Sequence, residues 1–268
     1  RVDAIYANPE NYSTASLIAG CMLFFVQLYA DFSAYTDIAR GVAKILGFEL
    51  IKNFKTPLFS KSIPEFWARW HISLTTWFRD YLFIWLAGLN RNSTVWRIIA
   101  TIILFLVIGF WHGANWTFIA WGLLNAIYFL PLLLLNRNRN NIEDIHFKWN
   151  FNGLKTLLQI LITFSMTTFA WIFFRADSLT DALNYLSIIF SKSIFDIPKF
   201  PNRLDAVIVF ILISVFMTVE WFGRNNEYAI EKFLFKLDRP RRFLCYYVII
   251  FCMFYFYAKQ QQFIYFQF

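Results

Sequence analysis

Six runs of apolar residues, at 13–30, 95–111, 115–135, 154–174, 204–222 and 243–258, dominate this chain. A helix needs about 17 to 25 such residues to cross a bilayer, and each run reaches or approaches that length. Hydrophobic residues make up 59% of the 268, against an apolar share of roughly 45 to 50% in soluble domains. A soluble fold of this size already buries most of the apolar surface it can, so the surplus is expected to face lipid. The predicted class is all-α: a polytopic membrane protein of about six transmembrane helices with short re-entrant or interfacial helices, forming one membrane-embedded domain over 1–268. The chain opens on Arg1, and its first run lacks the charged leading segment and small-residue cleavage site of a signal peptide. It reads as the C-terminal portion of a longer protein whose N-terminal helices precede it.

The formal charge of +8 raises nucleic acid as a partner, but the basic residues sit in the loops between apolar runs. Under simple alternation, 31–94, 136–153 and 223–242 share one side and hold 17 Lys and Arg, against 6 in the N-terminal stub, 175–203 and the tail. That asymmetry assigns the first set to the cytoplasm by the positive-inside rule and leaves no need for nucleic acid. Cys21, Cys245 and Cys252 lie in or beside apolar segments without metal-ligand spacing, so they read as packing residues and no metal is expected. Residues 136–153 are rich in Asn and Arg and read as an exposed loop, with His146 a solvated histidine.

Residues 31–93 are too polar for ordinary spans and too aromatic for a solvated loop. One helix is expected near 33–47, ending at Gly47. A second begins at Ser62-Ile63-Pro64-Glu65, where Ser and Glu at this spacing can cap each other's amides and Pro suits the first turn. Along it Arg69, Ser73, Thr76 and Asp80 fall on one ridge, Phe66, Trp70 and Trp77 on a second face, and Trp67, His71, Leu74 and Phe78 on a third. Such a helix either lies at the interface or lines a protein-enclosed cavity.

Residues 95–135 are nearly continuous apolar sequence, too long for one crossing, and the strong interruption is GFWHGANW at 109–116. Gly109 and Gly113 permit the turn and the close approaches between two helices. His112 sits at that turn. An ionisable group at membrane depth faces a protein interior or a watery cavity, which makes it a functional candidate; a histidine hydrogen-bonded at a helix end is the alternative. A neutral imidazole, with an ordinary pKa near 6.5, can take a proton from a hydroxyl. Trp111, Asn115 and Trp116 offer N–H donors for a carbonyl or developing oxyanion, or form an interfacial aromatic cluster. Asp31 with Tyr35, and Asp37 with Arg40, can meet on a helical face; a structural ion pair is the expectation for the latter and a substrate-site role the alternative. In WIFFRADSLTDA at 171–182, Arg175, Asp177 and Ser178 are expected to anchor a helix end, with the aromatic residues available to shape a cavity wall.

DFSAYTDIARG at 31–41, NFKTPLFSKSIPEFWARWHISLTTWFRDYLF at 53–83, GFWHGANWTFIAWG at 109–122, WIFFRA at 171–176 and FIYFQF at 263–268 resemble, in that order, the membrane-bound O-acyltransferases, nearest to the branch that acetylates alginate and other polysaccharides. D-alanyl transfer proteins of teichoic acid share the general pattern. The resemblance implies that His112 is catalytic and His71 a second important histidine, in a tunnel whose acyl donor is reached from the cytoplasm. It implies acetyl transfer from a donor such as acetyl-CoA, with no bound cofactor, to hydroxyls of an extracytoplasmic polysaccharide, either directly or through a periplasmic or surface acetyltransferase partner. The expected location is the bacterial cytoplasmic (inner) membrane. Asn115, Trp111, Trp116, Asp31 and Tyr35 complete the candidate site. A proton-coupled transporter using His112, Asp31 and Asp37, or a subunit with inert motifs, are the competing classes.

Overall fold

The computed structural model describes residues 2–138, 150–191 and 203–255. His146 and the FIYFQF ending lie outside the described residues. The chain divides into two compact units, Arg1–Ala206 and Val207–Phe268. In the first, α1 (Val2–Ala7), α2 (Thr14–Ile45), α3 (Ile63–Arg69), α4 (Ile72–Trp77), a π-helical segment (Phe78–Phe83), α5 (Ile84–Gly88), α6 (Thr94–His112), α7 (Trp116–Leu134), α8 (Phe151–Arg175) and α9 (Leu179–Ile189) follow one another. Then α10 (Arg203–Gly223) runs into the second unit, which continues with α11 (Glu231–Lys236) and α12 (Arg239–Tyr255). Every described regular element is helical.

Five helices, α2, α6, α7, α8 and the 206–223 part of α10, are long and apolar enough to cross a membrane. The sixth expected run falls on α12, which has 17 residues; the end of that run lies outside the described residues. The separate helix expected at 33–47 is instead the second half of α2, 32 residues long and so about 48 Å at 1.5 Å per residue. Its acidic residues do not break it. Asp37 pairs with Arg40 at 3.2 Å, as the spacing predicts, and Arg40 Nε also reaches the Leu50 carbonyl at 3.4 Å.

The helix expected from Ser62 starts where the sequence places it. Ser62 Oγ accepts the Glu65 N–H at 3.3 Å, while the Glu65 carboxylate reaches one residue further than a capping box, accepting the Lys61 N–H at 2.7 Å. The helix then stops after seven residues, because Trp70 is extended and His71 takes a left-handed φ of 44° before α4 begins. The continuous polar ridge is therefore not formed. Arg69 instead turns inward to the Glu65 carboxylate at 2.9 Å, with both side chains buried, and Asp80 pairs with its neighbour Arg79 on the exposed surface.

This broken segment is wedged among the long helices rather than laid beside them. Phe66 and Trp70 pack on Phe25 of α2 at 6.0 and 5.8 Å between centroids, Trp70 on Trp171 of α8 at 5.4 Å, and Trp67 on Phe105 and Trp121 at 5.4 and 5.7 Å. The Trp67 indole N–H donates to Asn125 Oδ1 at 3.2 Å, in the middle of α7. These contacts bury α3 among the spans, as a re-entrant segment rather than one lying at the interface. From His71 the chain runs back along α6, Phe78 meeting Trp111 at 6.5 Å and the Leu86 carbonyl accepting from Trp96 Nε1 at 2.6 Å. Counting 31–94 as a single loop on one side thus misdescribes it.

The α6–α7 hairpin closes on glycine. A Cβ on Gly122 would stand 2.3 Å from the Phe105 carbonyl oxygen, and one on Gly109 would stand 2.4 Å from that of Phe118. Without side chains at these two positions the backbones approach closely, the usual device for apolar helices in a membrane. In the second unit the Arg224 guanidinium lies 4.4 Å over the Trp221 ring, and Arg241 pairs with Asp238 at 3.4 Å.

Burial raises the Glu65 carboxyl above its usual range, although the Lys61 N–H and Arg69 pull the other way. Removing Arg69 leaves that carboxylate uncompensated, at a cost of about 3 kcal/mol. The native state then holds its proton more tightly than the unfolded chain, so stability is present at low pH and lost as pH rises. The Arg69→Met variant in detergent is expected to melt lower than the parent and to lose further melting temperature from pH 5 to 8. Parent-like melting at every pH contradicts the buried pair.

Candidate active site

Two histidines carried by different elements converge on one tryptophan. His112 ends α6, and its ring lies in an aromatic surround: Trp111 at 4.9 Å, Phe174 of α8 at 5.0 Å, Trp121 of α7 at 5.2 Å and Phe118 at 6.4 Å. His71 packs edge-to-face on Phe32 of α2 at 4.8 Å, near Phe54 at 6.4 Å, and on the same Trp111 at 6.4 Å. Trp111 thus stands in ring contact with both imidazoles. Both rings are partly buried. Taking 31–94 as one cytoplasmic loop sets His71 and His112 at opposite ends of the 95–111 run; the re-entrant path of 53–72 instead brings His71 to the C-terminal end of α6.

The turn that presents His112 is locally determined. Gly113 has no room for a side chain, since a Cβ would meet the Phe118 ring at 2.6 Å. Asn115 is the N-cap of α7, its Oδ1 accepting the Thr117 N–H at 3.1 Å, while its Nδ2 donates to the Asp177 carbonyl at 3.0 Å. The amide that the sequence offers as an oxyanion donor is thus engaged in tying this turn to the end of α8. At that end Arg175 meets Asp3 at 2.7 Å and lies 5.5 Å from the Tyr6 ring, and Ser178 caps α9. Trp111 and Trp116 are exposed beside the turn, and Asp31 and Tyr35 lie on α2 either side of Phe32, Tyr35 exposed.

An open apolar groove of about 510 Å³ adjoins Trp111, lined by Leu74, Trp77, Phe78, Val107, Phe110 and Trp111 itself. Trp111 therefore forms both the groove wall and the contact between the histidines. A partly buried imidazole beside an apolar groove is suited to accept a proton from a bound hydroxyl and return it to a leaving group. The sequence does not single out Asn53, Phe32 or Phe54, which frame His71; the Asn-Phe pair at the start of the NFKTPLF stretch is the one local hint.

Apolar spans and a re-entrant aromatic segment with two partly buried histidines at its inner end define a multi-pass membrane protein. The chain belongs to the membrane-bound O-acyltransferase family, MBOAT, whose sequence model matches residues 4–176 and so includes both histidines. It is 34% identical over 220 residues to a probable alginate O-acetylase AlgI of Pseudomonas putida, covering 82% of this chain and 43% of that protein. A peptidoglycan O-acetyltransferase of Helicobacter pylori is 41% identical over 160 residues, 60% of this chain and 29% of its own length. A teichoic acid D-alanyltransferase of Bacillus subtilis is 34% identical over 172 residues, 60% of this chain and 42% of its own. The chain spans less than half the length of these curated relatives.

Burial lowers the His71 pKa from 6.5 to about 4. An unfolded chain takes up that proton near 6.5, so over this window the unfolded state binds more protons and acidification lowers stability, by up to about 1.4 kcal/mol per pH unit. The melting temperature in detergent is expected to fall from pH 6.5 to 4, and His71→Gln to flatten the fall. Identical slopes in parent and variant rule out a buried neutral ring at position 71.

Proposed function

We propose that this chain carries the catalytic centre of a membrane-bound O-acyltransferase that transfers an acyl group, acetyl by preference, to hydroxyls of an extracytoplasmic polysaccharide. The observation that carries this reading is the convergence of His112 and His71 on Trp111 at the wall of an apolar groove. Similarity to a probable alginate O-acetylase and to a peptidoglycan O-acetyltransferase supports acetyl and polysaccharide.

In this mechanism His112 is the general base. It takes the proton of the acceptor hydroxyl as the oxygen attacks the acyl carbonyl; the new ester C–O bond forms, the thioester C–S bond breaks, and the proton passes to the departing thiolate. His71 assists by orientation or proton relay across Trp111. Trp111 and Trp116 supply indole surface at the entrance, Asp31 and Tyr35 lie where an approaching acceptor passes α2, and Asn115 contributes by fixing the turn. The donor is acetyl-CoA or a group charged from it on the cytoplasmic side of the bacterial inner membrane, within a tunnel. A periplasmic or surface acetyltransferase is the proposed recipient where transfer to sugar is indirect.

The likeness to a teichoic acid D-alanyltransferase supports the same chemistry with a D-alanyl group as the second reading. In cells dependent on the complete protein, His112→Ala is expected to insert normally yet lower ester-linked acetyl on the envelope polymer by about 1,000-fold, within the usual range for loss of a general base. Loss of ester-linked D-alanine with acetyl unchanged selects the second reading. Unchanged esters with altered solute flux identify a transporter instead.

A further inference from the structure

We propose that Asn53 is the positioning residue for His71, acting as a helix cap supplied in trans; this rests on the assisting role given to His71 above. The first amides of any helix lack intrahelical partners, and the N-cap side chain ordinarily accepts one of them. The N-cap of α4 is His71, whose side chain makes no capping hydrogen bond. Asn53 does that work from twenty residues earlier in the sequence: its backbone carbonyl accepts the Ile72 N–H at 2.9 Å and its Oδ1 accepts the Ser73 N–H at 3.1 Å. The imidazole is thereby spared from capping and can face Trp111.

The same clamp accounts for an unfavourable backbone. A left-handed φ at a non-glycine residue persists only where its surroundings over-determine it, and His71 adopts 44°. Bonds from both sides hold it. Upstream, the Lys55 N–H donates to the Arg69 carbonyl at 3.0 Å and Arg69 Nη1 donates to the Lys55 carbonyl at 3.2 Å. Downstream, Asn53 grips Ile72 and Ser73, and the Thr75 N–H closes on the His71 carbonyl at 3.0 Å. The next residue, Phe54, lies against the His71 ring at 6.4 Å and against Phe32, which also packs on that ring, at 5.1 Å. One short stretch thus fixes the backbone of His71 through residue 53 and its ring through residue 54. An acceptor is required at position 53, so alanine fails there and aspartate substitutes for the hydrogen bond while adding a charge. Phe32, Phe54 and Trp111 pack on the His71 ring, and His112 is the titratable ring on the other side of Trp111.

The test uses the complete protein in native membranes, radiolabelled acetyl-CoA as donor and alkali-labile acetyl on envelope polymer as readout, with Asn53→Ala, Asn53→Asp and His71→Ala compared. Asn53→Ala is expected to lower kcat about 100-fold with KM nearly unchanged, as misplacement of a catalytic group does. Asn53→Asp is expected to recover to within about tenfold of the parent. The acid limb of its pH profile should move upward, since a carboxylate beside His71 favours the imidazolium. Parent-like kcat and pH profile in both Asn53 variants, with His71→Ala inactive, overturn the positioning role and leave the proposed function standing. Parent-like activity in His71→Ala removes the role of His71 and this inference with it. Should Asn53→Ala fail to accumulate, an unshifted Asn53→Asp profile is sufficient to overturn the inference.

Discussion

Backbone that is neither helix nor sheet can exist among membrane-spanning helices only if each buried N–H and C=O finds a partner, because lipid offers none. The stretch from Asn53 to His71 meets much of that requirement through its own side chains and backbone. Ser60 Oγ bonds back to the Pro57 carbonyl at 2.7 Å, Glu65 takes the Lys61 amide, Arg69 and Lys55 bond reciprocally, and Asn53 takes two amides of α4. The buried Glu65–Arg69 pair belongs to this accounting. Its carboxylate serves the strap amide and the guanidinium at once, so the charges act as multi-point hydrogen-bonding groups as much as an ion pair. With the strap satisfied, its aromatic residues can enter the bundle.

Beside the strap, rings of α2, α7 and α8 form a continuous chain from Phe25 to His112. Phe25 meets Trp171 at 5.9 Å, Trp171 meets Trp121 at 5.4 Å and Phe174 at 4.8 Å, and the last two both meet His112. Edge-to-face geometry dominates at the histidine, with interplanar angles of 90° to Trp121 and 78° to Phe174. Ring pairs of this kind contribute about 0.5–1.5 kcal/mol beyond area burial, and flat rings have few rotamers to lose. Such contacts fix the plane of the His112 ring, which the proposed role of general base requires and which the flexible leucine of ordinary spans would not supply.

Much of this was legible in one dimension, for identifiable reasons. Apolar length gave the spans. The Ser62–Glu65 spacing gave the start of α3, and the three-residue separation of Asp37 and Arg40 gave their pair. The break at His71 was not legible, because no glycine or proline marks it: Ile72, Ser73 and Leu74 continue a helical pattern, and the turn is imposed by Asn53 through hydrogen bonds across twenty residues. Periodicity extended through that break produced a polar ridge that Arg69, turned inward, does not join. The proximity of the two histidines was hidden for the same reason, since reading 31–94 as a loop kept His71 away from the far end of α6. Asn115 held two signals, a donor beside His112 and a preferred N-cap residue ahead of an apolar helix; the capping signal describes its observed bonds.

The boundaries of the family match coincide with a closure of the structure. The match runs from residue 4 to residue 176, and at those ends Arg175 binds Asp3 while Asn115, from the His112 turn, binds the carbonyl of Asp177. The two contacts bring the beginning of α1, the turn after α6 and the end of α8 to one place. The helix end that supplies Trp171 and Phe174 to the histidine surround is therefore held by its own terminal residues against two other parts of the same unit. Long spans in a membrane slide easily where only apolar side chains meet, since lipid competes equally for those surfaces. Polar ties at the helix ends set the axial register of α8, and with it the height at which Phe174 meets His112.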